Sequence, residues 1–175
     1  MKKADTRGLV FCALFSALIA VLSQLQLPIG PVPISLATLG VMLSGLLLGW
    51  RFGALAVGAY ILLGAVGVPV FAGFQGGAGR LLGPTGGYIV GYLFCAMLAG
   101  LNTPRLQERF FGRCALLVLG TAFCYGLGTV WFMYSSGRTL VESLSLCAIP
   151  FLPGDAAKIA LAAFLTPRLR KAMKI

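Results

Sequence analysis

Asp155 and Lys158 are the residues whose types and spacing most clearly suggest chemistry. They stand three residues apart in an apolar stretch, so a helix would carry both on one face. A charged side chain deep in a bilayer costs roughly 2.5–3.5 kcal/mol, and such residues face a cavity or one another. One interpretation is a structural ion pair, with Asp155 also favoured by the positive end of its helix; the other is a solute-binding pair. The two are compatible if the pair closes on itself only when the site is empty.

A glycine-rich segment, residues 67–88, offers a second set of polar groups. Glycines such as Gly73 allow positive φ and close backbone approach, so this segment can fold tightly over a solute. Its polar side chains are Gln75, Arg80, Thr85 and Tyr88. A flexible surface loop is the alternative, but the aromatic and apolar content with one arginine favours a lid. No Gly-Lys-Ser/Thr follows the glycines, so we expect no ATP hydrolysis by the chain itself.

The composition gives little support to catalytic or metal chemistry. The chain has no histidine, and its five cysteines lack C-x-x-C spacing, so neither a zinc site nor a redox site is predicted. We interpret the cysteines as small apolar packing residues. The serines have no base nearby in sequence apart from Lys158, which leaves a Ser/Lys intramembrane hydrolase as an alternative. The sequence therefore predicts a protein that is not an enzyme and holds no cofactor or metal.

The elements that must position these residues are strongly apolar. Hydrophobic residues make up 59% of the chain and charged residues 10%, with a mean hydropathy of +0.96, whereas a soluble domain carries roughly 25% charged residues. We therefore predict an all-α integral membrane protein, a bundle of six transmembrane helices that forms one domain, residues 1–175. The predicted spans are 8–27, 34–49, 52–68, 84–101, 114–134 and 153–166 or beyond, with a short extra helix near 140–147.

Local signals refine these spans. The first is longer than the roughly 7–15-residue apolar core of a signal peptide, so it is interpreted as a transmembrane helix. The short Trp50-Arg51 connection predicts that spans two and three form an antiparallel hairpin. Glycines four residues apart let helices approach closely in lipid. This spacing occurs in the pairs Gly49/Gly53 and Gly87/Gly91.

Basic residues are distributed unevenly between the two sides that six spans define. Of 14 Lys and Arg, eleven fall beside the termini and in the connections at Arg51 and 102–113, whereas Arg80 and Arg138 fall on the other side. The positive-inside rule therefore predicts cytoplasmic termini and a location in the cytoplasmic membrane. The sequence shows no continuous basic face with interleaved aromatics. We therefore expect the net charge of +10 to reflect contact with a lipid bilayer and not with nucleic acid.

The same topology indicates what kind of solute would fit. Spans four and six both begin on the outer side, at Pro84 and Pro153, so their positive ends would lie near the outer mouth of the bundle. Together with Arg80 they suit a carboxylate. A site with one acid, one or two bases and many apolar groups suits an amphiphilic anion that also carries hydrogen-bond donors and acceptors.

Three segments carry a family resemblance: Gly67-Val-Pro-Val-Phe-Ala-Gly73, Gly83-Pro-Thr-Gly-Gly-Tyr88, and Pro150-Phe-Leu-Pro-Gly-Asp155 with Lys158. Gln24 and Gly30-Pro-Val-Pro33 fit the same pattern. Over nearly its whole length the chain resembles the BioY family, the biotin-specific substrate-binding (S) components of energy-coupling factor (ECF) transporters. The resemblance implies six helices, an outward-facing biotin pocket, and partners: a transmembrane coupling subunit with two cytoplasmic ATPases.

The resemblance also implies roles for individual residues, with biotin as the transported ligand. Asp155 would accept hydrogen bonds from the ureido N–H groups, and Lys158 would donate to the ligand or fix Asp155. Arg80 or the N-terminus of helix four would hold the carboxylate. The other substrate-binding residues that we predict are Gly73, Gln75, Thr85, Tyr88 and Thr38. Ala37 departs from the family, which often has a glutamine there.

Ala13 and Ala17 form an A-x-x-x-A pair on the first predicted helix. In the BioY family this spacing marks the face that meets the partner subunit, so we expect these two alanines at that interface. Close packing within the bundle is the alternative.

Other functions have partly the same sequence signature. An S component for another vitamin, such as thiamine or riboflavin, would be distinguished by a panel of labelled vitamins. A stand-alone biotin facilitator would transport without an ATPase module, and an intramembrane enzyme would turn over a substrate.

Overall fold

The computed structural model describes residues 6–27, 32–101 and 104–173. Helices account for most of these residues. In chain order the elements are α1 (Thr6–Gln24), β1 (Gln26–Leu27), β2 (Ile34–Ser35), α2 (Ala37–Ala65), α3 (Ala78–Leu82), α4 (Gly86–Ala99), α5 (Pro104–Glu108), α6 (Phe110–Ser136), α7 (Leu140–Cys147), a 3-10 turn (Ile149–Phe151) and α8 (Leu152–Met173). Lys2, Lys3, Lys174 and residues 28–31 of the predicted proline-rich turn lie outside the described residues.

Four of the described helical stretches are long and apolar enough to cross a membrane. They are Thr6–Gln24, Ala37–Ala65, Phe110–Ser136 and Leu140–Met173, and Gly86–Ala99 is a shorter apolar helix. The predicted helical class is therefore confirmed, as is the short extra helix at Leu140–Cys147. The number of crossings and the side of the termini stay predictions.

Helix α2 reverses direction at Gly49, which has φ 78° and ψ 173°. A Cβ at Gly53 would lie 2.9 Å from the Cα of Gly45, although residues eight apart in a continuous helix are separated by about 12 Å. The two limbs, 37–48 and 50–65, therefore form the predicted hairpin. The reversal lies one residue before Trp50-Arg51, because glycine adopts positive φ without steric cost.

Small residues bring the central helices into backbone contact. A Cβ at Gly45 would lie 2.4 Å from the carbonyl oxygen of Ala96, and a Cβ at Gly91 would lie 2.8 Å from the Sγ of Cys124. Both distances leave no room for a side chain, so α2 packs directly on α4 and α4 directly on α6. The predicted packing role of Gly91 is confirmed. Gly49 forms the turn instead.

Two predicted boundaries differ from the observed ones by a few residues, for identifiable reasons. The first span was expected to reach Leu27, but α1 ends at Gln24 because Gln26 and Leu27 pair antiparallel with Ser35 and Ile34. The connection predicted over 102–113 contains α5 and the first turn of α6.

Arg113 was predicted to lie in a basic loop, and that placement is wrong. It lies in α6 and is buried. Its Nε donates to the carbonyl oxygen of Ala163 at 2.9 Å and its Nη1 to that of Gln107 at 2.8 Å. These carbonyl oxygens compensate for the lost hydration of the guanidinium, so the basic side chain ties α6 to α8 and to α5.

Candidate solute-binding site

The Asp155–Lys158 pair on α8 is buried and closed on itself. Asp155 and Lys158 are 4% and 6% exposed, and Lys158 Nζ lies 3.0 Å from Asp155 Oδ1. The ammonium also donates to the carbonyl oxygen of Ser35 at 2.8 Å and to Thr38 Oγ1 at 3.1 Å. An ammonium has three protons, and here each has an acceptor, so the lysine holds the acid, the short strand β2 and the start of α2 together.

The second oxygen of Asp155 accepts a hydrogen bond from the hydroxyl of Tyr125 on α6. The Tyr125 ring stands edge-on between two other rings, with centroids 6.3 Å from Tyr88 and 6.4 Å from Phe151. Edge-to-face contacts at these separations are favourable. Asp155 is thus fixed from both sides, by Lys158 on its own helix and by a tyrosine that neighbouring aromatic rings hold in place.

A first cavity opens beside this pair. Of the predicted site residues, Thr38, Tyr88, Asp155 and Lys158 line it. The other lining residues come from the segment after α1 and from α4, α6 and the 3-10 turn: Val32, Pro33, Ser35, Tyr92, Cys95, Thr121, Cys124, Tyr125 and Phe151.

A second cavity of about 380 Å³ adjoins the first, since Val32, Pro33, Ser35, Tyr88 and Tyr92 line both. It brings together the predicted residues Arg80, Thr85 and Tyr88. The two cavities therefore place six of the eight predicted substrate-binding residues along one continuous wall.

Two polar groups in the second cavity have no partner among the described residues. Thr85 is 6% exposed, and its hydroxyl makes no hydrogen bond within the described part of the chain. The guanidinium of half-buried Arg80 likewise has no acceptor or carboxylate among the described residues. Partial burial lowers the pKa of Arg80 because desolvation disfavours the charged form, but an arginine remains protonated in proteins. A buried hydroxyl and a cation without acceptors suit an anionic ligand group.

The loop over the second cavity is anchored to the end of α1. Gln24 Nε2 donates to the carbonyl oxygens of Val70 at 3.1 Å and Phe71 at 3.2 Å, and Gln24 Oε1 accepts from the backbone N–H of Phe74 at 2.8 Å. Ser23 Oγ also donates to the carbonyl of Val70. Because these bonds hold the loop backbone in place, Phe71 and Ala72 form part of the wall of the second cavity.

Gly73 and Gln75 lie on the outside of this loop. Both are exposed, and neither lines the two cavities. Gln75 instead forms a backbone bridge with Phe71, with N···O distances of 2.9 and 3.2 Å. The predicted binding roles of Gly73 and Gln75 stay predictions.

Ala13 and Ala17 lie on an exposed face of α1 and line neither of the two cavities. They line an apolar groove between α1 and the second limb of α2, with Ala59, Leu62 and Val66 on the opposite wall. The buried hydroxyl of Ser16 lies in the same groove and has no hydrogen-bond partner within the described part of the chain.

Sequence reasoning missed the aromatic wall. Tyr92 and Tyr125 were not among the predicted residues, and Phe151 was only part of a motif. A signal was present, because Tyr88 and Tyr92 stand four residues apart in an apolar helix, as do Thr121 and Tyr125. Polar groups that share one face of an apolar helix need a cavity or a partner.

The two adjoining cavities together have two polar ends. The first cavity holds the Asp155 carboxylate and the Lys158 ammonium, and the second holds the guanidinium of Arg80 and the hydroxyl of Thr85. Tyrosine rings lie between the two ends. Such a wall can bind an elongated molecule with hydrogen-bond donors at one end, an anionic group at the other and an apolar body between them.

Comparisons with known proteins give a consistent result. A sequence model described as the BioY family matches residues 1–175. The Biotin transporter BioY of Thermotoga maritima is 40% identical over 165 residues, covering 94% of this chain and 96% of that one. The Biotin transporter BioY of Lactococcus lactis subsp. cremoris is 37% identical over 173 residues, with 94% and 91% covered. The crystal structure of an S-component for biotin from an ECF-type ABC transporter superposes with a TM-score of 0.89 at 36% identity, covering 98% of this chain and 94% of that chain.

Proposed function

The chain belongs to the BioY family, and from this premise we propose that it binds biotin and takes it up across the cytoplasmic membrane as the S component of an ECF-type transporter. The observation that carries the proposal is the pair of adjoining cavities, with Asp155 and Lys158 at one end and Arg80 at the other. Biotin has matching ends, a ureido ring and a valerate carboxylate. Membership of this family also confirms the prediction that the chain is not an enzyme.

In this proposal the ureido ring lies beside Asp155. The carboxylate accepts from the ureido N–H groups, and Lys158 donates to the ligand or keeps Asp155 in place, with Thr38 as its further acceptor. The apolar sulfur ring packs against Tyr88 and the neighbouring tyrosine rings, as apolar ligand surface usually packs on aromatic walls.

The valerate carboxylate then reaches the second cavity. There Arg80 and the unpaired Thr85 hydroxyl supply donors, and α4 begins next to Thr85 with its positive end. Gly73 and Gln75 belong to the loop beside this mouth, and we propose that they contribute to binding when the loop closes over the solute.

Replacing Arg80 with glutamine should lower the affinity for biotin by about 10- to 150-fold, because a charge-assisted hydrogen bond contributes about 1.5–3 kcal/mol. The affinity for biotin methyl ester, which has no carboxylate charge, should change far less. Isothermal titration calorimetry of the purified chain with both ligands measures the two effects.

Arg138→Gln is the matched control for this prediction, because it removes the other arginine expected on the outer side and leaves both cavities unchanged. It should bind both ligands as the unmodified chain does. An Arg80→Gln variant that loses equal affinity for biotin and its methyl ester would contradict the carboxylate role and point to the N-terminus of α4.

For the membrane we propose six crossings in a single domain, residues 1–175, with cytoplasmic termini in the cytoplasmic (inner) membrane. The proposal counts α1, the two limbs of α2, α4, α6 and α8. It is supported by the reversal at Gly49 and by the excess of basic residues on one side.

For the partners we propose a transmembrane coupling subunit with two cytoplasmic ATPases, docked at the α1–α2 groove that Ala13 and Ala17 line. Exposed small residues let another helix approach closely. The buried hydroxyl of Ser16 has no hydrogen-bond partner among the described residues, and this supports docking there, because a partner helix could satisfy it.

Uptake of labelled biotin, thiamine and riboflavin into cells tests the proposed function as a whole. Biotin alone should accumulate, and accumulation should require co-expressed coupling subunit and ATPases. Biotin uptake without the ATPases would instead favour a stand-alone facilitator, and uptake of another vitamin would overturn the choice of solute.

A further inference from the structure

An apolar groove runs between α6 and α8, next to the first cavity, and we call it the lateral groove. Its walls include Val118 and Ala122 of α6 and Ala156 and Ala160 of α8, and its space is about 850 Å³. Small, apolar side chains line both of these membrane-length helices, so in the membrane the groove would be filled by lipid acyl chains.

The lateral groove and the first cavity meet at three residues. Thr121, Tyr125 and Asp155 line both spaces. Tyr125 is the largest of the three, and its hydroxyl bonds to Asp155, so the ring and its hydrogen bond bridge the gap between α6 and α8. The partition between the two spaces therefore consists of one side-chain layer.

We propose that Tyr125 closes the solute cavity toward the membrane and thereby limits which substituents a solute can carry beside Asp155. The proposal rests on the proposed function, which places the ureido ring at this carboxylate. With Tyr125 in place, a solute must end at the partition. Without the ring, the first cavity continues into the lateral groove.

The neighbouring rings show why this role falls to Tyr125. Tyr88 and Phe151 hold the ring edge-on from both sides, yet neither of them lines the lateral groove. Removal of Phe151 would enlarge the first cavity without opening it toward lipid. Removal of Tyr125 alone would join the two spaces and also free one oxygen of Asp155.

The test compares biotin with biotin that carries a benzyl group on a ureido nitrogen, using each of the two regioisomers. The unmodified chain should discriminate strongly against both derivatives. In Tyr125→Ala the affinity for at least one derivative, relative to the affinity for biotin, should rise by about tenfold or more. The reason is that the benzyl group gains an apolar space to occupy.

Two variants serve as controls. Tyr125→Phe keeps the ring and loses the hydrogen bond to Asp155, and Phe151→Ala enlarges the cavity on its closed side. Both should discriminate as the unmodified chain does, even where their affinity for biotin falls. If Tyr125→Ala binds biotin but discriminates like the unmodified chain, or if Phe151→Ala relaxes discrimination equally, the proposal is wrong.

A second measurement does not depend on biotin. In vesicles of phosphatidylethanolamine and phosphatidylglycerol with a diazirine-tailed phospholipid, photolabelling of the unmodified chain should reach Val118 and Ala160 but not Tyr92 or Cys95. In Tyr125→Ala it should also reach Tyr92 and Cys95. Identical labelling of both proteins would show that Tyr125 does not separate the first cavity from the lateral groove, and the proposal would be wrong. Failure of the unmodified chain to bind biotin would overturn the proposed function alone.

Discussion

Replacing Lys158 with methionine is expected to lower the free energy of unfolding by about 3–5 kcal/mol, because the change leaves the buried Asp155 carboxylate without its charge partner. It also removes the donor to the Ser35 carbonyl and to Thr38, which joins α8 to the start of α2. Chemical denaturation in a defined detergent measures the loss. Binding of biotin should fall below detection in the same preparation.

The double variant Asp155→Asn with Lys158→Met is the control for this prediction. It removes both charges, so most of the lost stability should return, while biotin binding should not. If the single Lys158→Met variant unfolds like the unmodified chain, the pair carries no stabilising charge interaction in the folded protein. A double variant as unstable as the single one would mean that the hydrogen bonds of Lys158, and not charge balance, explain the loss.

Replacing Asp155 with asparagine is expected to lower the affinity for biotin by about 10- to 150-fold. It also leaves the buried Lys158 ammonium without its charge partner, so the free energy of unfolding should fall as well. The change removes the charge-assisted hydrogen bonds that the carboxylate accepts from the ureido N–H groups, and such a bond contributes about 1.5–3 kcal/mol. Equilibrium binding of labelled biotin measures the affinity, and the thermal transition in detergent reports folding.

Glu142→Gln is the matched control, because it makes the same change at an exposed carboxylate. Glu142 accepts from the backbone N–H of Thr139 at 3.1 Å in a capping box, and glutamine preserves that motif. Its affinity for biotin should be unchanged. Unchanged affinity in Asp155→Asn would contradict the role of the acid in recognition.

The chemistry of the site was predictable where it depended on residue type. Asp155 and Lys158 were identifiable because charges are costly in apolar surroundings, and the structure shows them paired and buried. Arg80 and Thr85 were found for a similar reason, as polar groups in a glycine-rich segment that borders apolar helices. The hairpin at Gly49 was predictable because the connection between spans two and three is so short that the two helices must lie antiparallel.

The residues missed depend on packing between distant parts of the chain. Ser35 reaches Lys158 from 123 positions away through its backbone carbonyl, which has no side-chain signature. Tyr125 meets Asp155 only because α6 and α8 lie side by side. Arg113 was misplaced because a basic residue near a loop usually faces water, whereas here three carbonyl oxygens accept from its side chain.

The central claim is that the two adjoining cavities bind biotin, and equilibrium binding to the purified chain in detergent tests it most directly. Desthiobiotin retains the ureido ring and the carboxylate, and riboflavin lacks both. The account predicts saturable binding of one biotin per chain, competition by desthiobiotin and none by riboflavin. Absence of biotin binding by the folded chain, or displacement of biotin by riboflavin, would contradict it.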